Sequence, residues 1–240
     1  MWRRSTSSFS GPLLLGLLDS DCRWAVDWKV LMAITRKRIG LIGGSFDPIH
    51  VGHLLAAQGA AEQLGLEKVV FIPAKQPPHK KYRRLADFAH RYAMVKIAIR
   101  GNPLFAVSDV EMRRGGKSYS IDTIHMLRAE YGADSNLYFI VGADMVRALP
   151  TWKHVDELIK LCRFAVVVRP GYDYRADLEA IKGRMGAAFV RETKRHIVTI
   201  PPIGVSATQL RRRLRAGKSI RYMAPEGVER YIRKHGPYKT

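Results

Sequence analysis

Acidic side chains are scarce in this chain: 21 Asp and Glu stand against 41 Lys and Arg in 240 residues, a formal charge of +20. Such a field draws polyanions, whether nucleotides, nucleic acid or an acidic membrane surface, and selects none of them. Cysteine is scarcer still. Cys22 and Cys162 lie far apart and in no metal-ligand spacing, which excludes a disulfide framework and a zinc site and predicts two reduced thiols. Long apolar runs are missing too. The nearest, Pro12 to Leu18, follows Arg3 and Arg4, is broken by Gly16 and ends in Asp19-Ser20-Asp21, so it is too short for a membrane span and lacks a small-residue cleavage site. Acidic residues before Cys22 argue against lipoprotein processing. Residues 1–35 are therefore expected to be an extension from an upstream start, with a single domain over 36–240. Internal repeats, low-complexity tracts and nucleic-acid-binding motifs are absent from the sequence. The basic residues are spread along the chain, so no nucleic-acid or membrane partner is expected, and a cytoplasmic location is; oligomeric state is not legible.

What is present is a hydrophobic content of 47%, enough for a full core, arranged as alternating strand-like and helix-like stretches. Short apolar runs at Arg38–Gly43, Val69–Ile72, Phe105–Val107, Leu137–Val141, Phe164–Val168 and His196–Ile200 predict strands. Helical patterns cover Leu54–Leu64, Ala86–Arg100, Ile121–Tyr131, Thr208–Ala216 and Pro225–Lys234. This order predicts an α/β fold: a doubly wound parallel sheet with right-handed crossovers and helices on both faces. Ligands of such sheets bind at the carboxyl ends of the strands, where the strand order reverses.

The strongest local signal follows the first strand: Gly43-Gly44-Ser45-Phe46-Asp47-Pro48-Ile49-His50-Val51-Gly52-His53. Glycines permit a tight turn and a close phosphate approach. A helix starting near Val51 would aim N–H groups and its positive dipole end at that turn. His50 and His53, three apart, fall on one face of the first turn and form a donor pair suited to an oxyanion or phosphate. Neither the Gly-x-Gly-x-x-Gly spacing of a dehydrogenase nor the Gly-Lys-Ser/Thr of a Walker loop is there. A second element, Val205-Ser206-Ala207-Thr208-Gln209-Leu210-Arg211, opens a late helix. Ser206 and Gln209 have capping-box spacing, and the same geometry leaves hydroxyls and N–H groups for a phosphate with Arg211 one turn on. Arg212, Arg213 and Arg215 read as a solvated basic face.

The eleven-residue string, with its His-x-Gly-His, resembles the adenylyltransferase branch of the nucleotidyltransferases with a Rossmann-like fold. Further stretches resemble the bacterial nicotinate-nucleotide adenylyltransferases in particular. They are Phe71-Ile72-Pro73-Ala74 with Pro77-Pro78-His79-Lys80, Ser118-Tyr119-Ser120-Ile121-Asp122-Thr123, Gly142-Ala143-Asp144 with Leu149-Pro150-Thr151-Trp152, Arg169-Pro170-Gly171, and Ser219-Ile220-Arg221-Tyr222. The likeness spans nearly all of residues 38–238, departing at Ala207 and Val205, where Ser and Ile are usual, and at Ser120 for Thr.

The resemblance implies AMP transfer from ATP to nicotinate mononucleotide, with no covalent intermediate and Mg²⁺ arriving with ATP rather than at a protein metal site. It implies His53 as principal transition-state donor and His50 as a phosphate contact. It assigns Gly43, Gly44, Ser45, Phe46, Ser206, Thr208 and Arg211 to ATP and its phosphates, with Ala207 a backbone donor only. Gly142, Asp144 and Arg169 go to the ribose and adenosine; Trp152, Thr151, Ser120, Tyr119 and Lys80 to the mononucleotide. An indole can stack on a pyridinium ring and a carboxylate can accept from a ribose diol. Plainer readings stand beside these: Trp152 as a half-buried structural aromatic, Asp144 as a helix N-terminal carboxylate, Tyr119 and Thr123 as packing and capping residues. Nicotinamide mononucleotide and 4′-phosphopantetheine remain as alternative acceptors.

Overall fold

A computed structural model of the chain describes residues 36–78, 85–169 and 171–238. Its centre is a sheet of six strands: β1 (Arg38–Gly44), β2 (Lys68–Pro73), β3 (Phe105–Val107), β4 (Asn136–Gly142), β5 (Arg163–Val168) and β6 (Ile197–Thr199). All pairings are parallel, in the order β3-β2-β1-β4-β5-β6. Chain direction outward from β1 reverses between β1 and β4, and that junction is the switch point where doubly wound sheets open a crevice.

The strands carry near-continuous apolar runs because both faces are covered. Ile42, Val69, Phe71, Tyr138, Ile140, Ala165 and Val167 point to one face, where they meet α1 (Val51–Leu64), α2 (Phe88–Ala98), α8 (Ala207–Arg215) and α9 (Glu226–His235). Ile39, Leu41, Val70, Ile72, Leu137, Phe139, Val141, Phe164 and Val166 point to the other. There they meet α4 (Ser120–Tyr131), α5 (Val155–Leu161), α6 (Tyr174–Met185) and α7 (Ala187–Lys194). Alternate residues of one strand thus supply two separate cores, the period-2 geometry of a pleated strand. A short α3 (Val110–Arg114) and a 3₁₀ segment (Ala143–Thr151) complete the chain.

The expected strands and helices are present with ends moved by a few residues. The α3, α5, α6, α7 and 3₁₀ segments have no counterpart among the helices expected from sequence. Lys37–Thr240 form one compact unit; the expected extension, 1–35, lies outside the described residues. Cys162 is buried, has no disulfide partner among the described residues, and burial pushes its thiol up to about 12, so it stays an inert packing group. Cys22 lies outside the described residues. Among the described residues no helix is long and apolar enough to cross a membrane.

Candidate active site

The carboxyl edge of the sheet gathers most of the singled-out residues. Gly44 of β1 pairs in register with Pro73 of β2, and Gly142 of β4 with Val167 of β5. The loop after β1, Asp144 and Arg169 therefore all leave the sheet at one edge.

The loop after β1 turns differently from the sequence expectation. Its left-handed residue is Phe46 (φ 44°), not a glycine. The Phe46 ring folds back over Gly44, where a Cβ would stand 3.1 Å from it, and is buried against Phe71 and the edge of His53. With its ring buried, Phe46 presents its backbone to the loop's open side. The glycine makes room for this ring.

His50 caps α1 and His53 sits on its first turn, with the two rings stacked at 3.8 Å between centroids. The His50 N–H donates to His53 Nδ1 at 3.3 Å. In the neutral ring the proton then sits on Nε2, which makes His53 an Nε2–H donor. His50 is buried and its Nδ1 has no hydrogen-bond partner. Burial, and secondarily the Arg169 guanidinium, hold its pKa down at about 4. His50 is neutral at ordinary pH. Gly52 packs beneath it: a Cβ there would stand 3.1 Å from the imidazole and 3.8 Å from the Val205 carbonyl, so the glycine admits both the ring and the approach to α8.

This depressed pKa has a stability consequence with a definite sign. Between about pH 4 and 6.5 the unfolded chain binds a proton at His50 that the folded chain excludes. Stability is therefore expected to fall as pH drops through that window. A His50→Asn variant should show a shallower fall, and an unchanged slope in urea titrations across pH 4 to 6.5 would refute the assignment.

The second phosphate element closes on the first. Ser206 caps α8, its Oγ accepting from the Gln209 N–H at 3.2 Å. The reciprocal half of the expected capping box is not formed, since Gln209 Oε1 is buried without a partner. Thr208 Oγ1 accepts from Arg211 Nη2 at 3.0 Å. With an acceptor lone pair of each hydroxyl occupied, both hydroxyls remain oriented to donate toward an anion. Both residues are exposed. Arg211 is buried, bonded through Nη1 to the Asp47 carbonyl and 3.6 Å from its carboxylate. It thereby links the two glycine- and hydroxyl-bearing elements, from Asp47 in the loop after β1 to Thr208 in α8. Arg212 and Arg215 are exposed, while Arg213 donates to the Ser219 carbonyl at 2.9 Å.

The expected free N–H groups of α1 are also partly engaged. The Met223 carbonyl accepts from Val51 N–H at 3.1 Å and the His50 carbonyl from His53 N–H at 3.0 Å.

The mononucleotide residues gather beyond β2 and β4. The loop after β2 is tied down by Lys75 N–H to buried Glu111 (3.2 Å) and by Gln76 paired with Ser118 (2.9 and 3.0 Å). Thr123 donates to the same Glu111 at 2.9 Å. Tyr119 precedes α4 and lies under the Lys153 ammonium at 4.6 Å, which joins the helix start to the Trp152 segment. Ser120 opens α4, and no side chain caps that helix start. Trp152 is half-buried, edge-on to Phe139 and Phe164, with Nε1 unpartnered. Thr151 donates its hydroxyl to the Ala148 carbonyl at 2.8 Å, a local role that leaves its oxygen as an acceptor. Asp144 is exposed at the start of the 3₁₀ segment, folded back over Gly142, where a Cβ would collide with its carboxylate. Lys80 lies outside the described residues.

Three residues of the site carried no assignment from sequence. Arg91 is buried; its Nη1 bonds the carbonyls of Ser45 (2.9 Å) and Ala74 (2.7 Å), so it staples the loop after β1 to the loop after β2. Burial lowers its pKa, and the nearby Asp47 carboxylate opposes that shift. Asp47, although inside the quoted string, gave no hint that its carboxylate would accept from Ala86 N–H (3.2 Å) and Tyr238 hydroxyl (2.9 Å). Tyr238 has no local signal at all.

A parallel sheet with the 3-2-1-4-5-6 order, two phosphate elements at its switch point and a histidine pair on the first helix is the frame of a nucleotidyltransferase. The cytidylyltransferase-like family model matches residues 41–213, which takes in both elements. A Thermoanaerobacter protein is 43% identical over 205 residues, 84% of this chain and 94% of its own length. One from Thermomicrobium roseum is 44% identical over 203 residues, 85% and 92%. Each bears the name "probable nicotinate-nucleotide adenylyltransferase". The chain belongs to the nicotinate-nucleotide adenylyltransferase family. A Plasmodium falciparum nicotinic acid mononucleotide adenylyltransferase solved with NaAD superimposes with TM-score 0.67, covering 85% of this chain and 98% of that one. At 18% identity it attests the fold.

Proposed function

We propose that this site transfers AMP from ATP to nicotinate mononucleotide, with His53 as the principal transition-state donor. A phosphate oxygen of the mononucleotide attacks the α-phosphorus of ATP in line. The α–β bridging bond breaks, pyrophosphate leaves, and nicotinate adenine dinucleotide forms. No protein nucleophile is needed; catalysis comes from alignment and from donors aimed at charge building on non-bridging oxygens. The observation that carries this reading is the stacked His50–His53 pair, with His53 Nδ1 accepting the His50 N–H, beside the switch point.

His50, neutral through burial, contacts phosphate as a hydrogen-bond donor rather than as a cation. Ser206 and Thr208 donate hydroxyls, and the Ala207 N–H a backbone donor, to the triphosphate. Asp144, Gly142 and Arg169 hold the ribose and adenosine side. Mg²⁺ bound to ATP would supply neutralisation of phosphate charge. The donor set fits that arrangement: imidazole, N–H and O–H groups face anions, and the loop's own carboxylate, Asp47, is engaged by Arg211, Tyr238 and Ala86.

For the acceptor, Trp152 offers an indole face, and the uncapped start of α4 at Ser120 offers N–H groups to a carboxylate. Trp152→Ala is expected to raise KM for nicotinate mononucleotide about tenfold while KM for ATP changes less than roughly twofold. A selective rise in KM for ATP would put Trp152 in the other half of the site. Because the ring also packs on Phe139 and Phe164, Trp152→Phe serves as the packing control.

The deciding assay is pyrophosphate release with ATP and Mg²⁺, offering nicotinate mononucleotide, nicotinamide mononucleotide and 4′-phosphopantetheine in parallel. A strong preference for the first is expected. Turnover with another acceptor would discard the Trp152 argument, and silence with all three would discard the reaction.

A further inference from the structure

The segment that closes the chain reaches back to the loop after β1 three times. Arg211 bonds the Asp47 carbonyl and faces its carboxylate, the Met223 carbonyl accepts the first N–H of α1, and the Tyr238 hydroxyl donates to Asp47 Oδ1 at 2.9 Å. Asp47 is 1% exposed and Tyr238 9%, so this hydrogen bond is shielded from water, where such bonds are electrostatically strongest. The bond has a geometric consequence. Oδ1 is held by the Tyr238 hydroxyl and the Ala86 N–H, and that fixes the carboxylate rotation so that Oδ2 faces Arg211 at 3.6 Å. Arg211 in turn holds Thr208 at the start of α8. The spacing between the histidine turn and the hydroxyls of α8 is set at its far end by Tyr238.

We propose that Tyr238 is a positioning residue of the ATP half of the site, acting through Asp47 and Arg211 on Thr208. The proposal rests on the AMP-transfer reading and deepens it. It also separates the two substrates. On the mononucleotide side Thr123, in the first turn of α4, donates to Glu111, which also accepts from Lys75 N–H in the loop after β2, so that side is braced by Glu111 while the ATP side is braced by Asp47 and Arg211.

Tyr238→Phe tests it cleanly, because the ring that lines the cleft beside Leu214 and Ile232 is kept and only the hydroxyl is lost. Steady-state pyrophosphate release is measured with ATP and nicotinate mononucleotide for wild type, Y238F, D47N and the double variant, well below each Tm. Active wild type establishes the reaction, so its silence would sink that reading and not confuse this one. Y238F should lose about tenfold in kcat/KM for ATP with KM for the mononucleotide within roughly twofold, the size of one buried charge-assisted hydrogen bond. The double variant should be no worse than D47N, since both changes cut one relay. A Y238F enzyme with wild-type kcat and both KM values, differing only in Tm, would reduce Tyr238 to a structural role and overturn the proposal. So would equal losses toward both substrates, or losses that multiply in the double variant. D47N leaves Arg211 without its counter-charge and is the variant at risk of misfolding; in that event the Y238F substrate split decides alone.

Discussion

Replacing His53 by alanine is expected to lower kcat by about a thousandfold while the protein stays folded. The ring is held before substrate arrives. Its Nδ1 accepts the His50 N–H at 3.3 Å, one face stacks on His50, and the Phe46 ring meets it edge-on at 5.1 Å. That fixes the tautomer, so Nε2–H is the donor the ring brings to the reaction. A donor aligned in advance costs no reorganisation as charge builds on the α-phosphate, which is why its removal shows in kcat more than in KM. Loss of a half-buried ring and its long hydrogen bond to His50 is expected to cost the fold about 1 to 2 kcal/mol, a few degrees in Tm. His53→Gln, whose amide nitrogen can approximate the position of Nε2, should recover part of the loss. The measurement is kcat by pyrophosphate release beside thermal unfolding. Unchanged kcat in His53→Ala would remove the role, and a collapsed Tm would recast it as structural.

Arg211→Ala is expected to damage stability and ATP use together. The guanidinium is 7% exposed at its side chain and satisfies the Asp47 carbonyl, the Asp47 carboxylate and Thr208 Oγ1 at once. Its removal deprives a carboxylate 1% exposed of the cation at 3.6 Å, with Arg91 still nearby, a loss of up to about 3 to 5 kcal/mol for a buried pair of this kind. In a domain of this size that corresponds to roughly 6 to 20 °C in Tm. The surviving folded fraction should show a raised KM for ATP, because Thr208 loses the donor that orients its hydroxyl. Arg211→Lys should rescue little, since one ammonium cannot reach two separated acceptors as the planar fork does. Had Arg211 been an exposed phosphate contact, Tm would hold and only KM would rise. Thermal melts of the two variants distinguish these outcomes directly.

The parallel sheet was legible from the short apolar runs because a strand buried on both faces is apolar at nearly every position, and Leu137–Val141 and Phe164–Val168 show this plainly. The turn after β1 was legible from Gly43 to His53 because the chemistry it implies is local: residues within one loop and one helical turn must lie together whatever the rest of the chain does. The helices over 174–194 were not, since α6 and α7 mix charged and small residues and bury only four and two residues. Their helical state is settled by docking against β5 and the 3₁₀ segment, which outweighs weak local preference.

What the amino-acid sequence determined by itself is therefore the strand pattern, the histidine pair and the starts of α1 and α8, all products of spacing over a few residues. Only the tertiary structure decided which distant charged and polar side chains pair within the protein. Nothing local in the sequence tells that Arg211 meets Asp47, 164 positions away, or that Tyr238 meets the same carboxylate across 191. Backbone geometry imposes a period on neighbours, but residues so far apart meet only through packing, and packing has no local signature.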